Sequence, residues 1–557
     1  MKILLVAVNA KYIHSNPAVY SLKAYAKKWE EGIEIAEYSI NGNVTEMLGD
    51  IYERRPDVVA FSCYIWNREV IEKLVPSVRK LLPSVAIWLG GPEVSFHCEQ
   101  VLEQFQEIDG IMVGEGEETF AGLCAFYFEA NGTLADIPGL YLKAEYGNKG
   151  RAFSTGERAP LSLEKLPFLY DSVENFENRI VYYESQRGCP YRCSYCLSAI
   201  DKTVRHKPME QVKKELQHLL DCKVPQVKFV DRTFNCNHSH SCEIWRFLKE
   251  HDNEVTNFHF EIAADILTDE EMEILRGLRP GLVQLEIGIQ STNPDTIHSV
   301  NRVMDFEIVR RRVEELVSYR NMHIHVDLIA GLPYEDLGSF QRSYDEVFGL
   351  GAEMLQLGFL KVLKGSLIEA DAVKYGIVYQ NNPPYEVLCT KWLTFSDILV
   401  LKGVEEMTEM YYNSNQYQNT LRYIFQKISS PFAFFRGLSD FYRDRGYVVS
   451  QPSRMKRYEI LREYALASGT VTDKDLLDEL LTYDLYLREN MKSRPSFSRN
   501  LSIYREMLSR KEGTDRHEEV FVYDVLSDEP VSCAPMVVEF RYDRRDPLTN
   551  NAETYRK

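Results

Sequence analysis

The sequence predicts an α/β protein in three parts: an N-terminal doubly wound parallel sheet, a partial (β/α)6 barrel and a mostly helical C-terminal domain. Three observations predict it. Over residues 1–137, apolar strand-length runs alternate with amphipathic helix-length runs, the pattern of strands buried on both faces between crossover helices. A second alternation, with six strand-like runs, occupies 181–375. From 376 to 557 the spacing turns helical and tyrosine-rich. At 557 residues the chain accommodates three such bodies, given roughly 150 residues per domain.

The first strand is KILLVAV (2–8), followed by helical spacing in PAVYSLKAYAKKW (17–29). DVVAFSCY (57–64) and VAIWLGG (85–91) are further strands, separated by the helix NREVIEKLVPSVRKLL (67–82). A helix near HCEQVLEQF (97–105) and the short strand GIMVGEG (110–116) follow. Ligands on such sheets sit at the carboxyl ends of the strands. Residues 138–180 carry Gly and Pro punctuation without a long period and read as a linker.

The barrel strands are VYYESQ (181–186), QVKFVD (226–231), NFHFEIAA (257–264), LVQLEIGIQ (282–290), HIHVDLIAG (323–331) and EMLQLGFLK (353–361). Amphipathic segments such as MEQVKKELQHLLD (209–221), DEEMEILRGL (269–278) and FEIVRRRVEELVSYR (306–320) separate them. In barrels the chemistry lies on loops after the strands. Beyond them, YEVLCTKWLTFSDILV (385–400), RMKRYEILREYALAS (454–468) and DKDLLDELLTYDLYLREN (473–490) are helical, and HEEVFVYDVL and PMVVEFRYD read as two strands. The aromatics Trp392, Phe395, Tyr411, Tyr412 and Tyr417 fit helix cores, or the wall of a substrate pocket.

Composition removes several function classes. Hydrophobic residues at 45% and charged ones at 27% are those of a soluble, core-forming protein. No apolar run reaches the length of about 18 residues that a membrane span needs. MKILLVAVNAKYIHS reads as a strand entering a loop and not as a secretory signal, so a cytoplasmic location is expected. A net charge of −18 disfavours a nucleic-acid partner. Eleven cysteines, scattered except for one trio, point to free thiols plus one metal or redox site.

That trio lies in RGCPYRCSYC: Cys189, Cys193 and Cys196 follow the first barrel strand directly, with Gly188 and Pro190 bending the chain. Thiolates at these spacings suit a soft metal centre, and an iron–sulfur cubane is the natural fit. Three ligands leave one iron open, as in catalytic rather than structural metal sites. Three buried structural cysteines, or a zinc site completed by a distant histidine, are the other readings of the spacing.

The motif, with the aromatic Tyr195 before its last cysteine, resembles that of radical S-adenosylmethionine (radical SAM) enzymes over roughly residues 180–370. The resemblance implies a [4Fe–4S] cluster on Cys189, Cys193 and Cys196, with SAM on the open iron. It also implies an electron donor such as flavodoxin or ferredoxin, and cleavage of SAM to methionine and a 5′-deoxyadenosyl radical. Glu286 and Gln290 in LEIGIQS and Asp327 in HVDLIAGLP are implied to hold SAM, carboxylates suiting ribose hydroxyls. Arg302 in SVNRV would pair with the SAM carboxylate. Asp231 ends VDRTFN, where relatives often carry two adjacent aspartates. Arg232 replaces the second, and no Gly-Gly-Glu triplet follows.

The N-terminal sheet resembles the cobalamin-binding class of the same family, through AFSCYIW, WLGGPEVS (88–95) and VGEGEETF (113–120). Ser62, Gly90, Gly91, Gly114 and Glu115 are the implied cobalamin contacts, the glycines giving a bulky ring system close access to backbone. Many cobalamin domains carry Asp-x-His-x-x-Gly after the first strand. Here His14 stands without the Asp and Gly, so it lacks its carboxylate orienter. That favours a base-off cobalamin with no lower protein ligand over ligation by His14. Both cofactors together imply methyl transfer to an unactivated carbon of a small-molecule or peptide substrate. A cobalamin-dependent radical cyclisation or rearrangement is the alternative enzyme, and a cobalamin sensor the non-enzymatic one. Methylthiolation is disfavoured, because Cys63, Cys98 and Cys124 are too far apart to form a second cluster motif.

Overall fold

The computed structural model describes residues 1–557 except 148–149, 171, 174–175, 178 and 510–514. The chain divides into two compact units. One comprises Met1–Ile262, Val300–Arg302 and Leu360–Leu388; the other comprises Ala263–Ser299, Val303–Phe359 and Cys389–Lys557.

The first unit opens with a doubly wound sheet. Strand β1 (Ile3–Asn9) is buried along its whole length, so its alternate side chains feed two cores. Leu4, Val6 and Val8 pack with Ile51, Ile71 and Leu74 on one face. Ile3, Leu5 and Ala7 pack with Val19, Trp88 and Phe120 on the other. The elements follow as α1 (Pro17–Tyr25), β2 (Ile33–Ser39), α2 (Val44–Arg54), β3 (Val58–Ser62), α3 (Arg68–Leu81), β4 (Ala86–Gly90), α4 (Cys98–Gln104), β5 (Gly110–Met112) and α5 (Glu117–Glu129). Strand order is β2-β1-β3-β4-β5, all parallel. The order reverses between β1 and β3, and the crevice outside the strand ends there is the usual ligand site of such sheets.

Two short strands, β6 (Leu140–Leu142) and β7 (Phe153–Ser154), extend this sheet antiparallel from β5. They fall inside the segment read as linker, where runs of three and two residues leave no period to detect. Linker positions 148–149, 171, 174–175 and 178 lie outside the described residues. The strand β2 and helix α2 are also additions to the elements read from sequence. Periodicity misses β2 because Glu34 and Glu37 interrupt the apolar positions of IEIAEYS on an edge strand.

The first unit continues with β8 (Val181–Tyr183), β9 (Gln186–Arg187), β10 (Arg205–His206), α6 (Met209–Asp221), β11 (Gln226–Phe229), α7 (His238–Glu250) and β12 (Asn257–Ile262). β8, β11 and β12 are parallel neighbours, whereas β9 and β10 form an antiparallel two-rung ladder around the cysteine loop.

The second unit holds three further strand–helix repeats: α8 (Asp269–Arg276), β13 (Val283–Gln290), α9 (Pro294–Ser299), α10 (Phe306–Tyr319), β14 (His323–Ala330), α11 (Leu337–Phe348) and β15 (Met354–Phe359). β13, β14 and β15 are parallel. All six predicted barrel strands are therefore present, three in each unit. Helices at Phe395–Met407, Gln418–Phe425, Pro431–Asp444, Arg454–Ala467 and Lys474–Arg488 make the C-terminal region mostly helical. A three-stranded antiparallel sheet (Arg516–Tyr523, Ser532–Arg545, Ala552–Arg556) follows, one strand more than read from sequence. Leu476, Leu480 and Tyr483 pack there against Phe521, Val538 and Phe540.

Candidate functional site

The crevice at the carboxyl ends of β1, β3, β4 and β5 is a cleft of about 390 Å³. Its floor is apolar (Leu5, Phe61, Met112) and its rim carries Ser62, Gly90, Gly91 and Gly114. Gly91 has φ +109°, and a Cβ there would stand 2.5 Å from the Cys63 carbonyl oxygen. Gly114 has φ +80° with nothing within 4 Å of its missing side chain, so open backbone faces the ligand space. Ser62 Oγ accepts from Asn16 Nδ2 (3.1 Å) and donates to the Val6 carbonyl (3.4 Å). Tyr64 also lines the cleft and stacks on Trp66, ring centres 4.4 Å apart. A cleft with apolar depth and glycine-opened walls fits a large ring system such as cobalamin.

Leu197, Ile200 and Asp201, all from the cysteine loop, form another wall of the same cleft. Cys189 and Cys193 are buried, Cys196 is half-buried, and all three are free thiols. The Cys196 N–H donates to the Cys193 carbonyl (3.1 Å) and the Cys189 N–H to that of Asp201 (3.1 Å). Between the last two cysteines, the Ser194 N–H donates to the Val300 carbonyl and its carbonyl accepts from the Ile368 N–H, both at 2.9 Å. The loop is thus held by its own turns and by two distant segments. Among the described residues no three His, Cys, Asp or Glu side chains are grouped to hold a metal ion. A cubane attaches each thiolate to a different iron, and the three cysteines of this one loop are the candidates to supply them.

Arg302, expected to pair with the SAM carboxylate, lies against this loop. Its Nη1 donates to Cys193 Sγ (3.8 Å) and to the Tyr195 hydroxyl (3.4 Å). Burial raises the Tyr195 phenol, with the guanidinium pulling the other way. Asp231 is fully buried below the loop. Its carboxylate accepts from the Ser185 N–H (2.9 Å), the Gln186 N–H (3.1 Å) and the Ser185 hydroxyl. Burial lifts it to about 7, against these hydrogen bonds. Ser185 Oγ also meets His240 Nε2 at 2.9 Å. Burial, with His206 beside it, holds the His240 imidazole down at about 4. The cofactor contact expected of Asp231 finds no support in this position, because its oxygens are turned inward and already bonded.

Glu115 is engaged in the same way. It pairs with Arg205 (2.5 Å) and Arg187 (3.6 Å) and accepts from the Leu161 N–H (2.7 Å). These partners hold its carboxyl below the usual range despite the desolvation that opposes them. His14 Nδ1 meets the Tyr182 hydroxyl at 2.5 Å, and its backbone bridges to Ile180. Burial lowers its imidazole, with Lys11 and Lys228 adding to the effect. Neither Glu115 nor His14 is among the cleft walls.

In the second unit, Glu286 and Gln290 on β13 alternate with buried Leu285, Ile287 and Ile289. Asp327 on β14 alternates likewise with Val326 and Leu328, in register with Gly288. These residues share the half-buried polar face of their sheet, next to the Gln284–His325 hydrogen bond (2.9 Å). Gln290, at φ +74° on a bulge, has a buried side-chain oxygen with no hydrogen-bond partner among the described residues.

Comparison with known proteins places these observations in a class. Residues 3–124 match the B12 binding domain and residues 183–347 the Radical SAM superfamily. The chain thus combines a B12-binding domain with a radical SAM domain, and the cofactors of these two domains are cobalamin, a [4Fe–4S] cluster and SAM. Residues 373–543 match a family described as "Protein of unknown function (DUF4080)". Among individual proteins, the cobalamin-dependent radical SAM methyltransferase TokK of Streptomyces tokunonensis is 27% identical over 325 residues. The alignment takes in 54% of this chain but only 45% of TokK, so the chain spans under half the length of that relative.

Two solved structures share the fold. The radical SAM methyltransferase TsrM of Kitasatospora setae, with tryptophan substrate and a SAM analogue bound, has TM-score 0.56 at 19% identity, covering 69% of this chain and 80% of TsrM. The cobalamin-dependent SAM radical enzyme OxsB, with aqua-cobalamin bound, has TM-score 0.60 at 14% identity, covering 87% of this chain and 83% of OxsB. Among the described residues no helix is long and apolar enough to cross a membrane.

Sequence reading missed Ser185 and His240 beneath the loop, and Arg187, Arg205 and Glu117 beside it. The GEGE run and the arginines flanking the cysteines were visible signals; their pairing was not.

Proposed function

We propose that this chain is a cobalamin-dependent radical SAM methyltransferase acting on an unactivated carbon of a small-molecule or peptide substrate. The observation that carries the reading is the shared wall: the glycine-lined cleft and the cysteine loop border one space. Bound there, the cofactors supply hydrogen-atom abstraction and a transferable methyl group. The chain's own part is placement. Cys189, Cys193 and Cys196 would hold the cluster, and Arg302 places its guanidinium against Cys193 Sγ (3.8 Å). Gly90, Gly91, Gly114 and Ser62 would seat the cobalamin at the strand ends. Glu286, Gln290 and Asp327 would orient SAM, and Arg302 would pair with its carboxylate. A small-molecule substrate accords with the tryptophan bound by TsrM. An external donor such as flavodoxin or ferredoxin would deliver the electron.

The test uses anaerobically reconstituted protein, reductant, SAM and a metabolite panel. S-adenosylhomocysteine formed beside 5′-deoxyadenosine, with a product one methylene heavier, is the expected result. Deoxyadenosine without S-adenosylhomocysteine would replace methylation by cyclisation or rearrangement. A reduced cluster that leaves SAM intact would leave only a cobalamin-binding protein.

A further inference from the structure

Two arginines bracket the cysteine loop. Arg187 precedes it on β9, Arg205 follows it on β10, and the two are register partners on one rung of the ladder. Any shift of one end of the loop therefore moves the other. Both guanidiniums leave the ladder for the loop after β5. Arg187 Nη2 donates to Glu117 Oε1 (2.9 Å) and Arg205 Nη2 to Glu115 Oε1 (2.5 Å). A backbone pair closes the arrangement: the Leu161 N–H donates to Glu115 (2.7 Å) and Arg205 Nη1 to the Leu161 carbonyl (2.6 Å). Arg187 also pairs with Glu184 (2.8 Å), and Arg205 with Asp201 (2.5 Å), whose carbonyl accepts from the Cys189 N–H. The Glu117 side chain is only 7% exposed and that of Arg205 13%.

The same short loop, through Gly114, Gly116 and Glu117, walls the cleft. The Glu117 end of one ion pair thus lies on the cleft wall, Glu115 stands between the two wall glycines Gly114 and Gly116, and the arginine ends lie at the base of the cysteine loop. We propose that Glu115 and Glu117 are positioning residues that dock Arg187 and Arg205, and so set where the three thiolates stand relative to the glycine-lined cleft. The proposal rests on the cofactor reading above for its purpose, though not for its geometry. Half-buried, charge-assisted hydrogen bonds suit this task, because moving either partner strands the other's charge. A second tie acts at the far side of the loop. The Ile368 N–H holds the Ser194 carbonyl, and its neighbours Lys364 and Glu369 pair with Glu93 (3.0 Å) and His97 (3.2 Å) after β4.

The test compares wild type with Glu115→Gln, Glu117→Gln and the shortened but charged Glu117→Asp. Hydrogen–deuterium exchange of the cofactor-free chain should quicken about tenfold or more in 186–206 for the Gln variants, the loss of one charged hydrogen bond, and less for Asp. The rest of the first unit should exchange as wild type. In reconstituted protein of equal iron and cobalamin content, EPR should show a changed spin–spin splitting between cob(II)alamin and the reduced cluster. Wild-type exchange in 186–206 would overturn the proposal. So would acceleration spread over the whole unit, or an unchanged splitting, since both mark a merely structural pair. If the wild type itself binds no cobalamin, the cofactor reading fails while the exchange result still decides the docking.

Discussion

Asp231→Asn separates the charge of the buried carboxyl below the cysteine loop from its shape. Asp231 is fully buried, and burial lifts it from the ordinary 3.8 to about 7. A carboxyl raised in this way binds more protons in the folded than in the unfolded chain between about pH 3.8 and 7, so stability falls as pH rises through that window and is flat above it. The gap of about 3 pH units, at about 1.4 kcal/mol each, comes to about 4 kcal/mol. Asparagine carries no charge at any pH but leaves one of the three donors without an acceptor, a cost of about 1–3 kcal/mol. The variant should therefore be the weaker protein in acid and the stronger above neutrality, the two crossing at about pH 4.5–6. Urea unfolding of the cofactor-free chain across this range, with protection of the Ser185 and Gln186 amides as the local probe, measures it. Parallel pH dependences for the two proteins would refute the reasoning.

Cys193→Ala should lower iron and sulfide from about four each per chain to near zero, and zinc in place of iron in the wild type would contradict the cubane. Gly91→Ala forces a Cβ to 2.5 Å from the Cys63 carbonyl at φ +109°, at a cost of about 1–3 kcal/mol. A lower melting temperature and loss of bound cobalamin by absorbance should follow, both milder in Gly114→Ala, where space is open. His14→Ala should leave the cobalamin content and base-off spectrum unchanged. A nitrogen splitting in the wild-type cob(II)alamin EPR that vanishes in this variant would instead make His14 the lower ligand.

Periodicity revealed the elements whose burial follows it. β1, buried at every position, appears as an unbroken apolar run, and α6 has the bounds its spacing predicts. Its failures are as physical. β2 is an edge strand buried at only two of seven positions, so its apolar signature is short and broken by Glu34 and Glu37. α7 opens with HSHSC, a polar start that gives no helical period before the buried Ile244, Trp245 and Leu248. β6 and β7 exist only because β5 offers them an edge.

The site divides along the same line. The three cysteines were legible because their chemistry is written in eight consecutive positions, and the glycines because a strand end beside a cofactor cleft calls for bare backbone. Glu115 was read as a cofactor contact from the same logic of position, yet its partners Leu161 and Arg205 stand 46 and 90 positions away. Glu117 reaches Arg187 across 70. Nothing local announces such pairs, because a carboxylate in a glycine loop has the same sequence whether it faces a ligand or an arginine. The physics separates the two cases: an acidic pair left unpaired at the rim of an apolar cleft would bear the full cost of desolvation, whereas two arginines already fixed on one ladder rung remove that cost. The GEGE loop can then do two jobs at once, its glycines opening the cleft while its glutamates anchor the cysteine loop.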